Sequence, residues 1–297
     1  MSKDCAFTEN KLIEQIKDIE ILGIKSRTKI TKKVLSHAKK LKVIGTFSVG
    51  TKHIDIDSCS KYKIPVFNDP QSSTRSVAEL VIGNIIALSR GIFHKSNDVH
   101  NGIWEKNSKK SYEISNKILG IIGYGNIGSQ VSLFAENLGM KVLFFDIEDK
   151  DPVGKATKCN SMKQLLKIAD IITIHVDGRE ENTNLIDFAE LELMKKGAVL
   201  INTSRGHVVN FPAVLDNLKS EKLHSGAFDV HPDEPNCYKG KYTSVLQKLP
   251  NVILTPHIGA YTEEAQYNVG NSVSNKIIRY ISKNNPEDCV NESALRY

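Results

Sequence analysis

The fold is decided by residues 117–146, which read KILGIIGYGNIGSQVSLFAENLGMKVLFFD. The stretch starts with an apolar run, Ile118 to Ile122, which is typical of a buried β-strand. Glycines follow at 123, 125 and 128 in the spacing GxGxxG, and apolar residues then recur at the spacing of one helix face. A second apolar run ends on Asp146. The stretch therefore predicts a strand, a glycine turn, a helix and a second strand.

The glycines and the acid that follows them predict a dinucleotide site. Gly123 would allow the tight turn, Gly125 the approach of a pyrophosphate to the backbone, and Gly128 close packing of helix on strand. Backbone N–H groups at the helix N-terminus would bind the diphosphate. Asp146 would accept hydrogen bonds from the ribose, and together with Glu148 it would repel a 2′-phosphate. We therefore expect a Rossmann-type domain that binds NAD rather than NADP; the alternative is an ordinary βαβ unit with turn glycines.

Length and composition set broad bounds. The chain has 297 residues, of which 40% are apolar and 25% charged, as in an ordinary globular protein of two domains. Its net charge of +6 suits anionic small molecules. The lysine clusters are short and accompany no finger or aromatic RNA-binding signature, so no nucleic-acid partner is expected. No apolar run approaches the length of a membrane span, and the N-terminal segment is too charged for a signal peptide.

The five cysteines are scattered and form no CxxC pair. This pattern favours reduced thiols in a cytoplasmic protein, and we predict no metal site.

Strands alternate with helices along the rest of the chain, which predicts parallel sheets covered by helices. Ser76 and Glu79 are expected to form a capping box before a strongly apolar, buried helix over 77–88. The polar run 101–116, which contains Trp104, is expected to be an exposed arm.

Polar residues follow the carboxyl ends of successive predicted strands, at the edge where open α/β sheets bind ligands. Hydride transfer to a 2-keto acid needs a cation for the carboxylate, an acid for the alkoxide, and a group that orients that acid. Arg205 can be the cation, His257 the acid and Glu234 the orienting group. Each residue alone could equally be structural.

At these residues the chain resembles the D-isomer-specific 2-hydroxyacid dehydrogenases, and among them most resembles members that oxidise phosphoglycerate. The blocks that carry the resemblance are GTFSVGTKHIDID, RSVAELVIGNIIALSRG, LGIIGYGNIG, LINTSRGHVVN, GAFDVHPDEP and NVILTPHIGA. The resemblance implies NAD-dependent oxidation of D-3-phosphoglycerate to 3-phosphohydroxypyruvate, a step of serine biosynthesis. It also implies a homodimer through the 77–116 segment.

The resemblance further implies a role for individual residues. Arg205, Glu234 and His257 would be catalytic, with Arg205 anchoring the substrate. NAD would contact Gly123, Tyr124, Gly125, Asn126, Ile127, Gly128, Asp146, His175, Val176, Thr203, Ser204, Asp229 and Gly259, with Asp229 on the nicotinamide carboxamide. The small-molecule substrate would contact Lys25, Arg27, Val49, Gly50, Ser73, Lys106, Arg205 and His257, with Lys25 and Arg27 on the phosphate.

The family fold implies a smaller flavodoxin-like substrate domain over 1–72 and 262–297, an NAD-binding domain over 73–261, and an active site in the cleft between them. Asp177 stands where relatives often carry a proline, and Ser73 where they often carry an asparagine. The substrate domain looks shortened at its N-terminus, and no C-terminal regulatory domain, and hence no feedback inhibition through one, is expected. Two alternatives stay open. The first is a different enzyme of this class, either a glyoxylate or hydroxypyruvate reductase or another D-2-hydroxyacid dehydrogenase. The second is an NAD-sensing, corepressor-like binding protein.

Overall fold

The computed structural model describes residues 6–235, 237 and 239–295. It divides into two compact units. The first comprises the described residues of Met1–Ser73, Pro235–Lys241 and Tyr261–Tyr297, and the second comprises Thr74–Glu234 and Tyr242–Ala260. Each unit contains a parallel sheet with helices packed against it, so the predicted α/β class is confirmed.

The helices and strands alternate through most of the chain. The strands are β1 Ile21–Ile24, β2 Val43–Thr46, β3 Val66–Phe67, β4 Ile118–Ile122, β5 Lys141–Phe145, β6 Thr157–Lys158, β7 Ile171–Ile174, β8 Ala198–Asn202, β9 Leu223–Phe228 and β10 Val252–Leu254. The helices are α1 Glu9–Ile16, α2 Lys32–His37, α3 Ile56–Lys61, α4 Thr74–Arg90, α5 Ile92–His100, α6 Asn126–Asn137, α7 Met162–Ile168, α8 Phe188–Leu193, α9 Phe211–Lys219, α10 Glu263–Lys283 and α11 Glu292–Leu295.

The first unit is built on a sheet of order β1-β2-β3. Its central strand β2 is buried along its whole length, because α1 and α2 contribute to a core on one side and α10 to a core on the other. Gly45 lets α10 approach closely: a Cβ at this position would lie 2.5 Å from Cδ1 of Ile277. Because its three strands are parallel, they end at the same edge of the sheet, and the loops that follow them lie side by side.

The second unit is built on a sheet of order β10-β9-β8-β7-β4-β5-β6. Helices α4 and α6 contribute to the core on one face, and α7, α8 and α9 to the core on the other. The order of connection reverses between the neighbours β4 and β7. In a doubly wound sheet, ligands bind at the carboxyl ends of the strands beside such a reversal. The fold therefore points to the loops after β4 and β7 as the place for a cofactor.

One local prediction is wrong, and one helix was not predicted. Ser76 and Glu79 form no capping box, because α4 begins upstream at Thr74 and both residues lie inside it. Ser76 Oγ instead donates to the Gly259 carbonyl oxygen at 2.6 Å, and Glu79 accepts from Arg75 Nε at 2.7 Å. The predicted arm is preceded by α5, which the sequence pattern did not indicate.

The described residues hold no single helix long and apolar enough to cross a membrane, although α4 and α5, bent by 64°, reach that length and composition as a pair.

The cysteines differ from one another. Cys59, Cys159 and Cys289 are buried free thiols, whereas Cys237 is disulfide-bonded. Burial raises the pKa of Cys59 to about 12, so this thiol stays protonated. The prediction of reduced thiols throughout is therefore wrong for Cys237.

Candidate active site

The glycine turn after β4 has the shape that a dinucleotide needs. Gly123 has a φ of 89°, in the left-handed region that favours glycine. A Cβ on Gly128 would lie 2.2 Å from the Gly123 carbonyl oxygen, so the helix can pack here only without a side chain. A Cβ on Gly125 would meet nothing within 4 Å, which leaves open space at the N-terminus of α6. Asn126 and Ile127 form the first turn of that helix, whose N–H groups are suited to bind a diphosphate.

Asp146 at the end of β5 is held against this turn. Its Oδ2 accepts from the Tyr124 backbone N–H at 2.6 Å, and its Oδ1 accepts from the Glu148 N–H at 2.9 Å. The Tyr124 ring points away into the core, where it stacks on Phe144 with ring centroids 3.8 Å apart. The carboxylate is thus fixed beside the glycine turn, where a ribose hydroxyl can donate to it.

A cavity of about 250 Å³ opens beside the turn. Gly123, Gly125 and Asp146 line one part of it, and His175 and Val176, which follow β7, line another. Burial lowers the pKa of His175 to about 3, so its ring is neutral at physiological pH. The other residues predicted to bind cofactor do not line this cavity but belong to the same unit: Tyr124, Asn126, Ile127, Gly128, Thr203, Ser204, Asp229 and Gly259.

The loop after β10 places His257 against Glu234. Nδ1 of His257 lies 2.8 Å from Oε2 of Glu234, and both side chains are partly exposed. Burial raises the pKa of Glu234, but hydrogen bonding from His257 and its positive charge outweigh this and lower it. Glu234 therefore stays ionised near neutral pH and fixes the His257 proton on Nδ1. The other ring nitrogen, Nε2, is left to exchange a proton with a substrate hydroxyl.

Asp229 holds the backbone around His257. It is 1% exposed; its Oδ1 accepts from Thr255 Oγ1 at 2.6 Å and from the Ile258 N–H at 2.9 Å, and its Oδ2 accepts from the Gly259 N–H at 2.8 Å. The carbonyl oxygen of Asp229 accepts from the His257 N–H at 2.7 Å. His257 itself has a φ of 56°, which is uncommon for a residue other than glycine. A network of this density can hold that conformation.

Arg205 stands on the loop after β8. Burial lowers the pKa of its guanidinium, while the negative charges of Glu234 and Asp177 raise it, and the group remains a cation at neutral pH. Its Nη1 donates to the Ser204 carbonyl oxygen at 2.6 Å. Gly178 lies against its side chain: a Cβ there would be 3.0 Å from Cγ of Arg205. The arginine thus has a fixed stem and a guanidinium that can pair with a carboxylate.

The residues predicted to contact substrate in the first unit follow its three strands. Lys25 and Arg27 follow β1, Val49 and Gly50 follow β2, and Ser73 lies in the segment after β3. Lys25 Nζ donates to Gln266 Oε1 at 2.9 Å and lies 5.3 Å from the centroid of the Tyr261 ring. Ser73 is buried, at 2% exposure. Lys106 is exposed on the arm after α5, in the second unit.

Three supporting residues escaped the sequence analysis. Asn202 accepts from the Ser204 N–H and donates to the Arg205 carbonyl oxygen, each at 2.9 Å. Thr255 bonds Asp229 as described, and its carbonyl oxygen accepts from His231 Nε2 at 2.8 Å. Asn202 carried a signal, since it is a polar residue that ends the apolar run Ala198–Asn202. The other two depend on contacts across the fold, which no local pattern encodes.

Comparison with known proteins places this site in a family. Residues 82–259 match the model for the D-isomer specific 2-hydroxyacid dehydrogenase, NAD binding domain. The chain is 47% identical over 283 residues to D-3-phosphoglycerate dehydrogenase of Dictyostelium discoideum, and this alignment covers 95% of this chain and 70% of that protein. It is 45% identical over 286 residues to D-3-phosphoglycerate dehydrogenase of Escherichia coli K12, which covers 96% and 70%.

A solved structure supports the same assignment. D-lactate dehydrogenase from Aquifex aeolicus, complexed with NAD and lactic acid, superposes with a TM-score of 0.82 at 30% identity and covers 96% of this chain and 89% of that one. The NAD-binding family model includes the glycine turn and Asp146, so the cofactor is NAD, as predicted. The chain belongs to the D-isomer specific 2-hydroxyacid dehydrogenase family and is an NAD-dependent dehydrogenase.

Proposed function

We propose that this protein catalyses the NAD-dependent oxidation of D-3-phosphoglycerate to 3-phosphohydroxypyruvate, a step towards serine. The observation that carries the proposal is the identity of 45% to 47% to relatives named D-3-phosphoglycerate dehydrogenase, over nearly the whole chain. The reductases and the binding protein that the sequence left open have no comparable support.

His257 would accept the substrate proton, with Glu234 as its partner. With its Nδ1 proton held by Glu234 at 2.8 Å, neutral His257 would accept the substrate hydroxyl proton at Nε2. Glu234 would stabilise the imidazolium that forms. NAD, when bound, supplies the acceptor for the C2 hydride. In the reverse direction His257 would return its proton to the forming alkoxide.

Arg205 would hold the substrate carboxylate by a charge-assisted pair, with its stem fixed by Gly178 and its loop by Asn202. The backbone N–H groups of Val49 and Gly50 would bind the same carboxylate. Lys25 and Arg27 would bind the phosphate. This last assignment is supported by two cations on one short loop at the carboxyl edge of the first sheet.

The test is an assay of purified protein with NAD and D-3-phosphoglycerate, beside the reverse assay with phosphohydroxypyruvate and with glyoxylate. NADH production with phosphoglycerate and turnover of phosphohydroxypyruvate alone is the expected result. Turnover of glyoxylate but not of the phosphorylated pair would overturn the substrate and keep the family. Tight binding of NADH without turnover of any of these acids would favour a binding protein.

We also propose that two copies associate through the 77–116 segment. Support comes from the apolar side chains that this segment exposes. Phe93 on α5 is 60% exposed, and Ile103 and Trp104 on the arm are 53% and 81% exposed. Isolated exposed apolar residues are common, but several on one segment indicate an interaction surface.

Sedimentation velocity tests the assembly. The wild-type protein should sediment as a dimer, and Trp104→Ala should shift it towards the monomer. Tyr267→Ala, which removes another aromatic ring that is 69% exposed, is the matched control and should leave the dimer unchanged. A wild-type monomer at high concentration would contradict the proposal.

A cytoplasmic location also stays a prediction, which cell fractionation would test.

A further inference from the structure

The cavity beside the glycine turn carries more charge than the dinucleotide motif accounts for. Besides Asp146, its lining includes Glu148, Lys150, Asp177 and Arg179. Both cations are held by acids: Lys150 Nζ lies 2.5 Å from Glu148 Oε2, and Arg179 Nη2 lies 2.6 Å from Asp177 Oδ2. The charged side chains that line the cavity therefore sum to a negative net charge, and both cations among them are already paired with acids.

The Asp177–Arg179 pair is the more ordered of the two. Arg179 Nε donates to both Asp177 carboxylate oxygens, at 2.8 and 3.0 Å, so the guanidinium and carboxylate meet as two planar forks. Asn182 Nδ2 also donates to Asp177, to its Oδ1 at 3.1 Å and its carbonyl oxygen at 3.0 Å. The Arg179 N–H donates to the same Oδ1 at 3.1 Å. Asp177 is thus fixed from several directions, and it fixes Arg179 in turn.

This pair cannot be explained by stability alone. The side chains of Arg179 and Asp177 are 43% and 57% exposed, and ion pairs in such contact with water contribute little to folding. Their position in the cavity suggests a role towards its ligand. Arginine is the side chain best suited to bind a phosphate through two parallel hydrogen bonds, and the 2′-phosphate of NADP is nearly a dianion at neutral pH. An arginine left unpaired here would attract it.

We propose that Asp177 is a second determinant of cofactor choice, which acts by occupying Arg179. Asp146 excludes the 2′-phosphate by direct repulsion. Asp177 removes the cation that would otherwise compensate for that repulsion, and it adds a negative charge to the same cavity. NAD carries no 2′-phosphate, so its binding is nearly indifferent to the pair.

Fluorescence titration of the purified full chain with NADH and with NADPH tests this directly. The expected result for Asp177→Asn is an affinity for NADPH about tenfold higher than in the wild type, as one charge near a phosphate would cause, with the affinity for NADH changed by less than about threefold. Asparagine retains the Oδ1 acceptor for Asn182, but it lacks the negative charge and the second acceptor oxygen that hold the guanidinium in the wild type. The gain should shrink between about 50 mM and about 300 mM salt, because salt screens exposed charges.

Two further variants separate the causes. Adding Arg179→Gln to Asp177→Asn should abolish the gain, because the released cation is then absent. Arg179→Gln alone removes the cation that offsets the negative charge of Asp177, and it should weaken NADPH binding without weakening NADH binding. Asp216→Asn, which removes one exposed acid of α9 that does not line the cavity, is the matched control and should change neither affinity.

The proposal is overturned by an unchanged NADPH affinity in Asp177→Asn, by a gain that survives the loss of Arg179, or by equal changes for the two cofactors. Because the titrations need no hydroxy acid, they stand apart from the proposed substrate. Failure to oxidise phosphoglycerate would leave the cofactor result intact, and failure of the cofactor result would leave the substrate assignment intact.

Discussion

The Asp229 carbonyl oxygen accepts the backbone N–H of His257 at 2.7 Å, and the Asp229 carboxylate accepts the N–H groups of the next two residues, Ile258 and Gly259. One buried acid therefore holds the turn in which His257 takes a left-handed φ of 56°. The position of the imidazole depends on this turn as well as on Glu234.

Removing one support of the turn should loosen His257. Thr255→Val has nearly the same shape but loses the hydroxyl that donates to Asp229 Oδ1 at 2.6 Å. We expect the free energy of unfolding to fall by about 1 kcal/mol, the usual worth of one such hydrogen bond. We expect kcat to fall about threefold to tenfold, because a small misplacement of the base is costly. Urea denaturation and steady-state assays measure both; Thr183→Val, at an exposed threonine, is the control.

The local elements of this fold, the strand and the glycine turn of residues 117–146, could be predicted from the sequence. The strand Ile118–Ile122 lies where its apolar run predicts it, because a strand buried on both faces is a continuous apolar run. The glycine spacing implied a tight turn and close helix packing, and both are present. These features are encoded within a few residues of one another.

Features that depend on distant contacts could not be predicted. Helix α5 has no buried side chain among its described residues, so no apolar face marks it in the sequence. Ser76 and Glu79 fit the pattern of a helix start, but the helix extends upstream and Ser76 instead bonds Gly259, far along the chain. The left-handed conformation of His257 is accompanied by contacts with Asp229, which lies far away in sequence.

The Glu234 carboxylate should matter for the rate more than for cofactor binding. Glu234→Gln removes the charge that orients His257 and stabilises its protonated form, while the size of the side chain is kept. We expect kcat to fall about a hundredfold, in the range typical of a lost acid–base partner, with the dissociation constant of NADH changed by less than about twofold. Steady-state kinetics and a titration of NADH check this. Glu192→Gln, at a glutamate that is 82% exposed, should have wild-type kinetics.

Gly178 should set the position of the Arg205 side chain. In Gly178→Ala the new Cβ would lie 3.0 Å from Cγ and 3.4 Å from Nε of Arg205, so the side chain must shift by a few tenths of an ångström. We expect the KM for the hydroxy acid to rise about fivefold to tenfold, because a displaced guanidinium pairs less well with a carboxylate, while NADH affinity is retained. Gly270→Ala is the control, since a Cβ there meets nothing within 4 Å. An unchanged KM would mean that the stem of Arg205 adapts freely.

Arg27 should distinguish phosphorylated from unphosphorylated acids. Arg27→Gln removes a cation from the loop after β1 and keeps a side chain of similar length. If the loop binds phosphate, the KM for phosphoglycerate should rise about tenfold or more, in keeping with the loss of a charge-assisted pair, and the KM for D-glycerate should barely change. Lys29→Gln, at an exposed lysine of the same loop, is the comparison. An equal rise for both acids would remove the basis for the phosphate assignment.

His53 should make the first unit sensitive to acid. Burial lowers the pKa of this imidazole to about 4, and Nε2 lies 3.0 Å from the buried Thr46 Oγ1. In the unfolded chain the pKa of a histidine is about 6.5, so as the pH falls the unfolded state binds a proton at His53 before the folded state does. The stabilising contribution is therefore complete above about pH 6.5 and is lost as the pH falls towards about 4, by on the order of 1 kcal/mol at about pH 5. Hydrogen exchange of the Val43–Thr46 amides at several pH values would follow this unit alone.

His53→Gln should flatten the dependence of this stability on pH, whereas His37→Gln, at an exposed histidine of α2, should preserve it. The same slope in His53→Gln as in the wild type would assign the acid sensitivity to another group.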